Sequence, residues 1–219
     1  MNSQRVGEFI KSKIENRKSK IKVWDCCAAS GGKSIMAYDL IPQIELTVSD
    51  IRPSIVHNLN NRLAEAGIKN YRSFVVDLSP SPKGRIEKRS PNSEGGREKA
   101  SRTSQHINLS TNQLFDLIIF DAPCSGSGTW SRTPEQLYFF KPEDITRYSN
   151  LQKKIASNVI PLIKQGGRLL YITCSVFKKE NEEVVEFIKK QSGLTLVKME
   201  LLKGYDKKAD TLFAALFTL

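Results

Sequence analysis

The strongest constraint on this chain is a series of short apolar runs, most of which close on an acidic residue and alternate with helical patterns. The runs Ile21–Cys26, Glu45–Asp50, Arg72–Asp77, Phe115–Asp121 and Arg168–Thr173 read as strands, and Phe115–Asp121 is apolar enough to be buried on both faces. Val6, Phe9, Ile10 and Ile14 recur at helical spacing behind Asn2 and Ser3, which can cap. A second helix is expected from Lys33 to Leu40. A third, after Pro53, carries the stripe Ile55, Val56, Leu59, Leu63 and Ala66 and stops at Gly67. A long helix from Pro142 to about Lys164 is expected to break at Gly166-Gly167, and Glu180–Lys190 is amphipathic. Leu194–Val197 and Thr211–Thr218 read as closing strands. Such alternation predicts an α/β fold, a mostly parallel sheet with helices on both faces. Ligands of such sheets bind beyond the carboxyl ends of the strands.

One stretch does not fit a packed core. Ser79–Asn112 holds seven Ser, three Pro and three Gly, with seven Lys/Arg against three Asp/Glu. It has too few apolar residues to offset its ordering entropy, so a mobile basic loop over 79–112 is expected, either brushing nucleic acid or a plain surface insertion. The remainder of the 219 residues suits a single domain, 1–219. No apolar stretch approaches the roughly 18 residues of a membrane span. Four cysteines at this length do not form a disulfide framework, which predicts a reducing cytoplasm. A net charge of +11 favours a polyanionic partner, RNA or DNA, over a merely soluble basic surface only when a second signal agrees. No metal and no membrane are expected, and a monomer is.

That second signal lies in the turns. The first strand runs into Asp25-Cys26-Cys27-Ala28-Ala29-Ser30-Gly31-Gly32-Lys33-Ser34. Gly32-Lys33-Ser34 ends like a P-loop, but Cys27 stands where that loop needs its first Gly, and no G-x-G-x-x-G is present. A Gly-rich turn remains, with Asp50 and Asp77 ending the second and third strands. An acid in the first of these places can bind ribose hydroxyls. An acid in the second can face an exocyclic amine. The set suits an adenosine ligand without a triphosphate, S-adenosylmethionine.

The fourth strand ends in Asp121-Ala122-Pro123-Cys124-Ser125-Gly126-Ser127-Gly128, and the fifth in Thr173-Cys174-Ser175. Each delivers a cysteine to the ligand-bearing rim, and the two strands are expected to be near neighbours. Cys26 reads as a core residue. Cys124 reads as exposed by its Ser/Gly run, and a Cys124–Cys174 disulfide is a further option in an oxidising setting. Two thiols beside a methyl donor suit methylation at carbon 5 of a pyrimidine, which needs a thiolate to add at carbon 6 first.

Taken together, D-C-C-A-A-S-G-G-K-S, D-A-P-C-S-G-S-G and T-C-S resemble the Sun/Fmu-type RNA (cytosine-5) methyltransferases, over nearly the whole chain outside the polar loop. The resemblance implies a Rossmann-like, class I S-adenosylmethionine-dependent methyltransferase domain with a seven-stranded sheet, acting on rRNA or tRNA. It implies Cys174 as the nucleophile, Cys124 as the cysteine that assists product release, and Asp121 as the acid that contacts the base. Cys27, Ala28, Ala29, Ser30, Gly31, Gly32, Lys33, Asp50, Asp77 and Asp121 match cofactor-binding positions. Ser30 stands where the family usually has Pro. Family members carry an RNA-binding region ahead of this domain, and the chain begins almost at the helix before the first strand, so that region is expected to be missing here. After Trp130 the chain keeps Arg132 and Pro134 of the family pattern, then runs through Glu135-Gln136-Leu137-Tyr138-Phe139-Phe140, whose aromatics stack on bases or pack in the core. Competing functions are a methyltransferase of the same fold with another substrate and a non-catalytic RNA-binding scaffold.

Overall fold

A computed structural model describes residues 2–11, 19–79, 114–205 and 208–219. Of the basic loop expected over 79–112, all but residue 79 lies outside the described residues, as does Ile14. In chain order the elements are α1 (Asn2–Lys11), β1 (Ile21–Asp25), α2 (Gly32–Leu40), β2 (Ile44–Asp50), α3 (Pro53–Glu65), β3 (Tyr71–Val75), β4 (Phe115–Asp121), α4 (Glu135–Phe139), α5 (Pro142–Val159), β5 (Ile163–Thr173), α6 (Glu182–Ser192), β6 (Thr195–Leu202) and β7 (Leu212–Thr218).

These strands form one seven-stranded sheet in the order β3-β2-β1-β4-β5-β7-β6. The pairs from β3 through β5 are parallel, and β7 runs antiparallel between β5 and β6. Strand order reverses at β1, between β2 and β4, the place where such sheets bind ligands beyond their carboxyl ends. The two-residue period of the strands divides the core. Val23, Leu117 and Ile119 pack with Val6, Ala37, Leu59 and Leu63 of α1–α3 on one face. Trp24, Ile118 and Phe120 pack with Ile155, Ala156, Val184, Val185 and Ile188 of α5 and α6 on the other.

Three expectations need correction. The long helix does not run to Gly166-Gly167. It ends at Val159, and a 3-10 turn over Ile160–Leu162 contains Pro161, which has no N–H to continue the ladder. The two glycines sit instead in the irregular first part of β5, where its pairing with β4 shifts register between Phe115 and Leu117. The third strand stops at Val75, two residues before Asp77. Ala66 is exposed beyond the end of α3, so the buried stripe is Val56, Leu59 and Leu63.

Candidate active site

Beyond β1 the chain turns sharply over Cys26–Gly31 before α2. Ala28 N–H donates to Ser49 O (2.8 Å), Gly31 N–H to Ala28 O (2.8 Å), and Arg62 grips Ser30 through its carbonyl and hydroxyl oxygens. Ala29 and Gly31 both have positive φ, 47° and 81°. At Gly31 the requirement is also steric, because a Cβ there would lie 2.4 Å from buried Leu59 Cδ1. Gly32 differs: a Cβ on it would meet open space, so the turn presents bare backbone outward.

Three carboxylates close on this turn. Asp50, the last residue of β2, accepts from Ala29 N–H (Oδ2, 3.1 Å) and from Arg52 through N–H, Nε and NH2 (3.0, 2.9 and 3.1 Å). Burial works against its charge, but the Arg52 and Ala29 hydrogen bonds outweigh it and hold the carboxyl below the usual range. Asp25, the last residue of β1, is fully buried. It accepts from Ser34 Oγ at 2.6 Å through Oδ2, while Oδ1 has no hydrogen-bond partner among the described residues. Burial pushes its carboxyl up to about 7 against the Ser34 bond, and the charge of Asp121 adds to the rise. Asp121, the last residue of β4, receives Lys33 Nζ on Oδ2 at 2.6 Å. Asp77, by contrast, is exposed past β3 and accepts from Ser79 N–H at 2.8 Å.

The two cysteines meet. β4 and β5 are adjacent, and their following turns bring Cys124 Sγ to 3.2 Å from Cys174 Sγ, both thiols free. Cys124 is half-buried rather than exposed. A hydrogen bond from Cys124 lowers the Cys174 thiol, assisted by Lys33 and opposed by burial and Asp121. The same bond, with burial, pushes Cys124 well up. Cys174 is therefore the thiol poised to ionise. Cys26 packs in the core, as its sequence position suggested.

The Ser/Gly run after Cys124 has a steric basis. Gly128 N–H donates to Cys174 O and Gly128 O accepts from Thr211 N–H, both at 2.8 Å, and a Cβ on Gly128 would lie 2.1 Å from Thr211 O. Ser125 and Ser127 turn inward toward Ser175 and Glu180. Beyond them Trp130 packs edge-on against Phe140 and Phe177. Tyr138 and Phe139 are 86% and 73% exposed and so are not core residues. Sequence reasoning gave no role to Asp25, Arg52 or Glu180. Asp25 carried the same signal as Asp50, an acid closing a strand. Glu180 and Arg52 carried none that periodicity or strand ends could show.

Comparison with known proteins agrees with this geometry. The chain is 31% identical over 169 residues to the probable ribosomal RNA small subunit methyltransferase B of Bacillus subtilis (strain 168), covering 77% of this chain and 32% of that protein. The chain thus spans about a third of the length of the curated relatives it matches. Its fold superposes on NSun6 from Pyrococcus horikoshii with SFG at a TM-score of 0.73 and 18% identity, covering 100% of this chain and 51% of that one. It also superposes on the N-methyltransferase NodS from Bradyrhizobium japonicum WM9 in complex with S-adenosyl-L-homocysteine (TM-score 0.59, 15% identity, 99% and 86% covered). The fold is therefore the Rossmann-like fold of class I methyltransferases, as expected. A model of the 16S rRNA methyltransferase RsmB/F family matches residues 13–214, and the chain belongs to that family.

Proposed function

We propose that this chain is the catalytic domain of an S-adenosylmethionine-dependent RNA (cytosine-5) methyltransferase whose substrate is small-subunit rRNA. The observation that carries the reading is the Cys124–Cys174 pair at 3.2 Å, placed beside Asp121 and Lys33 at the sheet rim. The net charge of +11 suits an RNA substrate, and the relatives' names point to rRNA rather than tRNA.

The cradle residues fit the cofactor. Asp50 offers a carboxylate to a ribose diol, and the bare face at Gly32 leaves room for close approach. Cys27–Lys33 and Asp50 would hold the ligand, with exposed Asp77 at its outer end.

In the reaction, the Cys174 thiolate adds to carbon 6 of cytosine, forming an S–C bond as the electrons of the 5,6 double bond move to carbon 5. Carbon 5 is then the acceptor for the electrophilic methyl group that S-adenosylmethionine supplies when bound. Asp121 hydrogen-bonds the base and favours its protonated form, while Lys33 holds Oδ2 of that carboxylate in place. Afterwards solvent water takes the carbon 5 proton, the C–H electrons reform the 5,6 double bond, and the Cys174–carbon bond breaks with its electrons returning to Cys174 as thiolate, a step that Cys124 assists. We place the reaction on a monomer in the cytoplasm, where both thiols stay reduced. Among the described residues no helix is long and apolar enough to cross a membrane.

The test is methyl transfer from labelled cofactor to isolated small-subunit rRNA and to tRNA, with the product base identified. Labelled 5-methylcytosine in the rRNA is expected. Label on another base, or in tRNA alone, overturns the assignment.

A further inference from the structure

We infer that Glu180 is the positioning residue of the cysteine pair: its buried carboxylate ties the turn after β4 to the turn after β5 and so sets how Cys124 meets Cys174. The inference rests on the proposed role of these thiols in methyl transfer. Glu180 lies between β5 and α6, is fully buried, and therefore touches no substrate. Its side chain accepts from the residue following each cysteine. Ser125 donates through N–H to Oε1 (2.8 Å) and through Oγ to Oε2 (2.6 Å), and Ser175 Oγ donates to Oε2 (2.5 Å). No other carboxylate among the described residues bridges these two turns.

The surrounding bonds leave little freedom. Ser127 Oγ accepts from Val176 N–H (2.9 Å), and Ser175 Oγ accepts from Phe177 N–H (3.1 Å). Gln152 Nε2 of α5 donates to Pro123 O (2.9 Å), just before Cys124. Asn181 takes Thr173 Oγ1 on Oδ1 (2.6 Å) and gives Nδ2 to Ser175 O (2.8 Å), bracketing Cys174. Glu180 is itself anchored by Tyr171 OH, which donates to its carbonyl at 2.5 Å. A carboxylate is costly to bury, and a neutral side chain could close a merely structural gap. An acceptor-only group commits the hydroxyl protons of both serines to one point, which holds the two turns in register.

The sign of the effect on Cys174 separates positioning from simple charge. The groups that act on this thiol are Cys124, Asp121 and Lys33, with Arg132 farther out. If Glu180 acted only as a negative charge, its removal would favour the Cys174 thiolate. If it positions Cys124 as donor, removal loosens the thiol–thiol bond and disfavours the thiolate.

The experiment is the pH profile of Cys174 alkylation by iodoacetamide, resolved by mass spectrometry from the other three cysteines, in wild type, Glu180→Gln and Ser125→Ala. Affinity for S-adenosylmethionine serves as the folding control. Slower alkylation of Cys174 near neutral pH is expected in both variants, by about tenfold for a one-unit shift of the profile. The kcat for methyl transfer should fall with it while KM for the cofactor holds. Faster alkylation in Glu180→Gln, or an unchanged profile in both variants, overturns the inference. Should Glu180→Gln fail to fold, Ser125→Ala, which drops one tie and no charge, decides alone. Alkylation uses neither RNA nor methyl donor, so its outcome is independent of whether wild type methylates rRNA.

Discussion

Cys124 Sγ stands 3.2 Å from Cys174 Sγ, and the bond between them is asymmetric: it lowers the Cys174 thiol and raises Cys124. One thiol is thereby readied to attack while its neighbour keeps its proton. This asymmetry belongs to the pair, since each thiol is shifted first by the other. It predicts that the two positions are not interchangeable.

Replacing each cysteine should stall the reaction at a different point. Cys174→Ala should bind cofactor and RNA yet form no covalent bond and transfer no methyl. Cys124→Ala, which also loses the bond that lowers the Cys174 thiol, should add Cys174 to the base more slowly and release product more slowly still, so a protein–RNA adduct accumulates on denaturing gels and disappears in the double variant. Accumulation in Cys174→Ala instead would reverse the roles.

The cofactor cradle is tested at Asp50 and Arg52. Asp50→Ala should weaken S-adenosylmethionine binding by about 1.5–3 kcal/mol, the value of a hydrogen bond to a charged group. Arg52 occupies both oxygens of that carboxylate and competes with a ribose diol, so Arg52→Ala should tighten binding. Calorimetry measures both, and weaker binding in Arg52→Ala would show that the guanidinium orients Asp50 for the ligand.

Asp25 predicts a pH dependence of stability. Its carboxyl is raised from 3.8 to about 7 in the fold, so between these values the folded state holds a proton that the unfolded state has lost. Stability is therefore greatest below about pH 4 for this group and falls as pH rises toward 7, by up to roughly 4 kcal/mol. Asp25→Asn should remove this trend. Chemical denaturation of both proteins across that range should show the wild type losing ground to the variant as pH rises. Parallel curves would refute it.

Neighbouring glycines should respond differently to a methyl group. Gly31→Ala meets Leu59 and a positive φ, and Gly128→Ala meets the Thr211 carbonyl, so both should lower Tm. The left-handed backbone alone costs about 1–2 kcal/mol at Gly31. Gly32→Ala faces open space and should leave Tm unchanged while weakening cofactor binding. An unaltered affinity would place the ligand elsewhere.

Much of this was legible in the residues alone. Apolar runs and helix spacing located nearly every element, because burial on both faces of a sheet leaves a near-continuous apolar run along Phe115–Asp121, and burial of one helix face leaves its mark every third or fourth residue along α3. Asp50, Asp121, Cys124 and Cys174 were found as residues closing strands or just past them, and the sheet delivered them to one rim. Periodicity failed at a proline stop, at a charged residue two positions from its partner, and where a contact was decided across the chain. Val159 ended α5 through Pro161, and the later glycines served the bulged pairing of β5 with β4. Glu180 joins Ser125 and Ser175, residues 55 and 5 positions away, and Arg52 folds back onto Asp50. The strand ends set which groups reach the rim. Only the three-dimensional packing decided which proton each group holds, because burial and hydrogen-bond partners, brought together from distant segments, determine where charge is stable.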